Sequence, residues 1–260
     1  IVKLINTGTT KNNLILNIID YLLINIFNID KLSPFFNNKG IFIKLFSKLD
    51  IKYIKNINEK NFIINLRKNN YDYAFSFCCN QIFKNELISS FRKVINYHSS
   101  ILPKYKGLNS TLWSIFCKEK YTGFSYHYIN NKIDNGNIIY QEKFKINYNY
   151  SYKKIEIFKT LLAKKSLQKV ILLVSKNFSG IKQKKKSSYF GNNEIKKLIT
   201  FRKIKNIDKI QKIIDIWGGI ILIKNNKKYY ITKISHKGKI LRISNYPVLI
   251  FKFIKLFKRN

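Results

Sequence analysis

Asn96 and His98 stand two residues apart at the end of the apolar run Lys93–Tyr97, and Asp134 follows in an Asp134-Asn135-Gly136 turn. On a strand, residues two apart leave on the same side, so the Asn96 and His98 side chains share one face. An Asn amide is a neutral donor for an oxygen that gains negative charge. An imidazole beside it can hold or pass a proton near neutral pH. A carboxylate can pair with that imidazole and stabilise its charged form. Together the three suit attack by an amine on a carbonyl-type carbon, with no enzyme-bound covalent intermediate. Singly each has a plainer reading: Asn96 as a turn or cap residue, His98 as a half-buried histidine, Asp134 as a turn former. The chain has 3 His, 3 Pro and 10 Gly. His98, Pro103, Gly107, Gly123, His127 and Gly136 all fall in one window. That clustering favours the chemical reading of the three together.

Such residues need a scaffold that brings strand ends to one edge. Ile1–Ile5, Ile51–Ile54, Tyr71–Cys78 and Lys93–Tyr97 read as strands, the later ones with little alternation, as in strands covered on both faces. Helical patterns follow Ile1–Ile5 and occupy Gly40–Leu49, Glu59–Asn69 and Ile82–Ser90. Strands alternating with helices predict an α/β protein with a doubly wound parallel sheet, whose ligand crevice lies at the carboxyl ends of the strands. Tyr97–Gly107 reads as loop and Ser110–Glu119 as helix, and the strands Gly123–Asn130 and Ile138–Ile146 flank the Asp134 turn. A long helix follows over Tyr152–Ser175.

Gly180–Lys186 and Ser187-Ser188 lack apolar periodicity and read as a linker. Beyond it come a helix over Ile207–Trp217, stopped by Gly218-Gly219, and strands over Ile220–Lys224, Lys228–Ser235 and Lys239–Ser244. The expected organisation is a catalytic domain over 1–180, a linker over 181–189, and a small β-rich, barrel-like domain over 190–260.

The 260 residues carry 50 Lys plus Arg against 13 Asp plus Glu, a formal charge of +37. Such charge fits an anionic partner. Most of it is Lys, and Ile, Asn, Tyr and Phe are also abundant while Ala and Pro are scarce, so codon bias accounts for much of it. Three cysteines without CxxC spacing give neither a disulfide framework nor a Cys/His metal site, and point to a reducing, cytoplasmic setting. The apolar stretches Leu14–Phe27 and Tyr246–Phe257 are interrupted by Asn, Asp and Lys, so no membrane span is expected. No secretory signal is read at the N-terminus. Met is absent even at position 1, which leaves a missing or trimmed start as the expectation.

The run Asn96-Tyr97-His98-Ser99-Ser100-Ile101-Leu102-Pro103-Lys104-Tyr105-Lys106-Gly107 resembles the N-x-H-x-S-L-L-P-x-[YW]-R-G signature of 10-formyltetrahydrofolate-dependent formyltransferases. Thr122-Gly123 and Ile133-Asp134-Asn135-Gly136-Asn137-Ile138-Ile139 resemble a second stretch of the same superfamily. The resemblance covers Asp72 to about Ile146 well, and residues 1–71 only in overall pattern. It implies a mostly parallel, Rossmann-like formyltransferase fold and a catalytic trio at Asn96, His98 and Asp134. It also implies folate contacts at Ser100, Ile101, Leu102 and Pro103, with 10-formyltetrahydrofolate as co-substrate and no metal.

The resemblance leaves the acceptor amine between two classes. Residues 190–260 are similar in outline to the C-terminal domain of methionyl-tRNA formyltransferases, which implies initiator methionyl-tRNA as partner and a role in translation initiation. Ser110 and His127 are more like the enzymes that formylate amino-sugar nucleotides or other small amines. A basic, non-catalytic nucleic-acid-binding protein is the remaining reading. A monomer without membrane partners is expected.

Overall fold

The computed structural model describes residues 3–6, 50–77, 79, 81–150, 152–184, 187–235, 237 and 240–244. In chain order the first elements are β1 (Lys3–Asn6), β2 (Asp50–Tyr53), α1 (Lys60–Asn69), β3 (Tyr73–Phe77), α2 (Asn85–Ile88) and β4 (Lys93–His98). There follow β5 (Lys106–Gly107), α3 (Ser110–Phe116), β6 (Tyr121–Tyr128), β7 (Ile138–Lys145) and α4 (Tyr152–Ser175). The last are β8 (Tyr189–Phe190), α5 (Asn192–Ile199), β9 (Thr200–Phe201), α6 (Ile207–Trp217), β10 (Ile220–Lys224), β11 (Lys227–Ile234) and β12 (Ile240–Ser244). The helical patterns between Asn6 and Leu49 and the apolar stretch Tyr246–Phe257 lie outside the described residues.

The chain divides into two compact units, and each threads through the other in sequence. The first comprises Ile1–Ser99, Phe124–Glu142 and Glu156–Lys184. Its main sheet has the order β3-β4-β6-β7. Strands β3 and β4 are parallel, whereas β4 and β6 are antiparallel. Among the described residues this sheet is therefore mixed, where the sequence predicts a mostly parallel one. The connection from β6 to β7 is too short for a crossover, so these two strands also run antiparallel, bonded from Tyr128 N to Asn137 O. A separate parallel pair joins β1 and β2.

Alternation along the strands sorts the side chains by face. Ile95 and Tyr97 of β4 and Phe124 and Tyr126 of β6 pack with Ala163, Val170 and Val174 of α4. In α4 the buried residues Lys159, Ala163, Ser166, Val170 and Val174 recur at helical spacing. Tyr126 donates its hydroxyl to the Ala163 carbonyl at 3.1 Å, which satisfies a polar group inside this apolar layer. The intervening residues Asn96, His98 and His127 are thereby left on the opposite face.

The second unit comprises Ser100–Gly123, Lys143–Ile155 and Lys185–Asn260. Its helix α6 begins where Asn206 accepts from Lys209 N at 3.1 Å and ends at Gly218, whose φ is 78°. Ile210, Ile213, Ile214 and Trp217 form its buried stripe and pack with Trp113 of α3. The sheet order is β12-β11-β10-β9. Asn225 and Asn226 have φ of 49° and 58°, the left-handed pair that a tight β10–β11 hairpin turn requires. The described strands make an open sheet, β-rich as expected but not closed.

Two short elements were not legible from periodicity. Strands β5 and β8 pair in parallel, and Leu108 N donates to Phe190 O at 2.7 Å. Gly107, in the middle of this pairing, has φ of 89°, and a Cβ there would lie 2.4 Å from Phe190 O. Its place in the motif thus has a steric reason.

Candidate active site

Strand β4 carries Asn96 and His98, and the β6–β7 connection carries Asp134. His98 Nδ1 lies 3.4 Å from Asp134 Oδ2, with the two side chains 9% and 11% exposed. Asn96 Nδ2 approaches Asp134 Oδ1 at 3.5 Å. The three residues singled out from sequence are therefore brought to one place in the first unit. Their low exposure matters chemically, because charge interactions strengthen as water is excluded.

The antiparallel register adds a fourth residue. His127 of β6 stands directly opposite Asn96. Its Nε2 lies 3.1 Å from Asn96 Nδ2 and 3.4 Å from Asp134 Oδ1. Its Nδ1 meets the Tyr128 carbonyl at 2.8 Å, and a carbonyl only accepts, so Nδ1 donates. The sequence places His127 on a strand, but only the cross-strand register puts it against Asn96.

The turn that presents Asp134 is tied down. Asp134 itself takes the left-handed conformation, φ 49°, which Asp and Asn tolerate better than other side chains. At Gly136 the backbone passes so close to β6 that a Cβ would lie 1.8 Å from Tyr128 O. Gln183 Nε2 donates to Asp134 O at 3.0 Å and to Gly136 O at 2.8 Å. Next to it Ile181 bridges Ile138. Gln183 sits in the stretch read as linker, and no local pattern marks it as a support of the site.

Just past His98 the chain is held from α4. Lys159 is fully buried, and its Nζ donates to Ser99 O at 2.8 Å and to Ser99 Oγ at 3.3 Å. Ser99 Oγ donates to Glu156 Oε1 at 3.0 Å, and Glu156 lies 3.7 Å from the ammonium. Burial pushes the Lys159 ammonium down to about 8, with Glu156 opposing the shift. A lysine in an apolar stripe is thus retained by its hydrogen bonds to the strand exit.

Ser100, Ile101, Leu102 and Pro103 continue directly from this point and belong to the second unit. Ser100 Oγ donates to Lys104 O at 2.7 Å, and Leu102 is 2% exposed. Pro103 O accepts from Ser188 N at 3.3 Å. Among the described residues no group of three or more His, Cys, Asp and Glu side chains is disposed to hold a metal ion. No described helix is long and apolar enough to cross a membrane.

Residues 36–179 match the Formyl transferase family model. The chain is 34% identical over 137 residues to a methionyl-tRNA formyltransferase of Borrelia garinii subsp. bavariensis, a match covering 51% of this chain and 42% of that protein. It is 34% identical over 99 residues to a GDP-perosamine N-formyltransferase of Brucella melitensis biotype 1, covering 37% of each. These matches span less than half the length of either relative. In fold the chain is similar to a solved methionyl-tRNA formyltransferase from Clostridium thermocellum. The TM-score is 0.57 at 17% identity, over 94% of this chain and 99% of that one.

Proposed function

Because the chain belongs to the formyl transferase family, we propose that it moves a formyl group from 10-formyltetrahydrofolate to an amine. The observation that carries this is the approach of both Asn96 and His98 to Asp134. In the proposed reaction the amine nitrogen attacks the formyl carbon and the carbonyl oxygen becomes an oxyanion. An Asn96 N–H donates to that oxygen. His98 takes a proton from the attacking nitrogen and returns it to the departing folate nitrogen, while Asp134 orients its ring. The C–N bond to folate then breaks, giving the formamide and tetrahydrofolate. Ser100, Ile101, Leu102 and Pro103 are proposed to contact the folate, and no metal takes part.

As acceptor we propose the amino group of initiator methionyl-tRNA, in the cytoplasm, as a step of translation initiation. The support is electrostatic. Lys224 and Lys227 are Cα partners across the β10–β11 hairpin, and Lys233 and Arg242 are partners across β11–β12. All four are exposed. Like charges directly opposite on a sheet repel, and a bound polyanion removes that cost. Lys228, beside Lys227, and Lys237, beyond the other end of β11, are also exposed, and Lys239 lies outside the described residues. In this reading the segment 190–260 serves as a tRNA-binding domain after a catalytic domain over 1–180 and a linker over 181–189.

An amino-sugar nucleotide is the second reading, favoured by the likeness to the Brucella sugar N-formyltransferase. Incubation with 10-formyltetrahydrofolate and either charged initiator tRNA or an amino-sugar nucleotide separates the two. Failure to release tetrahydrofolate in the presence of either acceptor would remove the formyl-transfer reading altogether.

A further inference from the structure

The Tyr128 carbonyl fixes the direction at one ring nitrogen of His127, and for a neutral ring the other follows. Nδ1 donates to the Tyr128 carbonyl at 2.8 Å, so a neutral ring presents a lone pair at Nε2. That lone pair faces Asn96 Nδ2 at 3.1 Å, and Asp134 Oδ1 lies 3.4 Å from the same nitrogen. Two acceptors this close repel unless a donor sits between them. The Asn96 NH₂ is that donor, with one hydrogen for Nε2 and one for Oδ1. The bond to Asp134 is the longer, 3.5 Å, at the limit of a hydrogen bond. It is the one that yields most readily to another acceptor oxygen.

We propose that His127 is a positioning residue that fixes the polarity of the Asn96 amide. By accepting one N–H it keeps the nitrogen turned into the site, so that the second N–H is presented to the substrate oxygen. The inference rests on the formyl-transfer reading and assigns the residue that makes Asn96 a donor there. Without an acceptor at position 127 the amide can turn over and offer Oδ1, which repels a developing oxyanion. An imidazolium at this position has the same consequence, since its Nε2–H would oppose the Asn96 N–H. The groups around the ring are Asn96 from β4, Asp134 from the β6–β7 connection, and His98, whose ring centroid is 6.5 Å away. At 2% exposure the ring has little access to water as an alternative partner.

The decisive measurement is ¹⁵N NMR of the histidine rings in the full chain near neutral pH. The sequence has only 3 His, and the spectrum of a His127→Gln variant assigns the signal. His127 is expected as the neutral tautomer protonated at Nδ1. A ring protonated at Nε2, or at both nitrogens, overturns the proposal. Hydrolysis of 10-formyltetrahydrofolate, which needs no amine acceptor, gives the kinetic arm. His127→Leu should lower kcat at least about tenfold, a part of what losing the donor itself costs, with KM for the folate unchanged. His127→Gln, whose side-chain oxygen can accept at the Nε2 position, should recover most of that loss. Equal kcat for His127→Leu and wild type overturns the proposal. A wild-type protein with no turnover but an Nδ1-protonated ring would instead overturn the formyl-transfer reading, and with it any role of His127 in that reaction.

Discussion

Asp134 is shared between two imidazoles: Oδ2 lies 3.4 Å from His98 Nδ1 and Oδ1 lies 3.4 Å from His127 Nε2. One carboxylate thus orients the ring proposed to carry the proton and borders the ring opposite Asn96. Asp134→Asn keeps the shape but replaces one acceptor oxygen by a donor. It should lower kcat for formyl transfer by about a hundredfold or more, within the range for general acid–base assistance. KM for 10-formyltetrahydrofolate should change little. Steady-state kinetics checks this, and turnover close to wild type would remove Asp134 from the proposed mechanism.

Removal of the oxyanion donor should be at least as costly. Asn96→Ala is expected to lose about 10²–10³ in kcat, the usual consequence of deleting one such donor. Asn96→Asp, close in shape but without the N–H₂ group, should be equally impaired. Turnover by Asn96→Asp close to wild type would mean that the side chain acts through packing instead.

The buried Lys159 has a consequence for stability against pH. Its folded-state value is pushed down to about 8 from 10.5 by burial. Between those values the unfolded chain holds a proton at this side chain that the folded one has released. Stability therefore rises with pH across that window, by at most about 1.4 kcal/mol per unit for one proton. Denaturant unfolding of wild type and Lys159→Met, followed from pH 8 to 10.5, should show wild type gaining on the variant as pH rises. Parallel pH profiles would contradict this.

The Asp134 turn depends on two residues outside the motif's chemistry. Gly136→Ala would press a methyl onto Tyr128 O, where the Cβ position is 1.8 Å away. The backbone must shift, at a cost of about 1–3 kcal/mol. Gln183→Leu keeps the volume and deletes two donated hydrogen bonds, leaving two carbonyls less satisfied. Both variants should reduce kcat more than folate binding, since they move Asp134. Thermal unfolding measured with kinetics separates the local effect from global loss of fold.

Charge reversal at Lys227, Lys228 and Lys237 together tests the acceptor. If tRNA is bound there, affinity should fall, and the log–log salt dependence should flatten by about 0.7–0.9 for each phosphate that is no longer neutralised. Hydrolysis of 10-formyltetrahydrofolate should be unaffected. Unchanged tRNA affinity would favour the amino-sugar nucleotide.

The sequence by itself determined which residues could do chemistry and the local conformation beneath them. Asn96 and His98 share a face because strand side chains alternate, and the helices over Tyr152–Ser175 and Ile207–Trp217 have the bounds their periodicity predicts. Local pattern also marks the turns at Asp134–Gly136 and Asn225–Asn226. The helix read over Ile82–Ser90 contracts to Asn85–Ile88, and α5 is not anticipated, because both are too short for periodicity to define. Tertiary structure decided the rest. The antiparallel pairing of β4 with β6 sets His127 opposite Asn96, and a shift of one residue would put it on the other face. Gln183 and Lys159 reach the site across long stretches of chain, through a side-chain amide and an ammonium that bond to backbone carbonyls. Such bonds to backbone oxygen leave no residue-type signature in the partner, so only the folded chain identifies them.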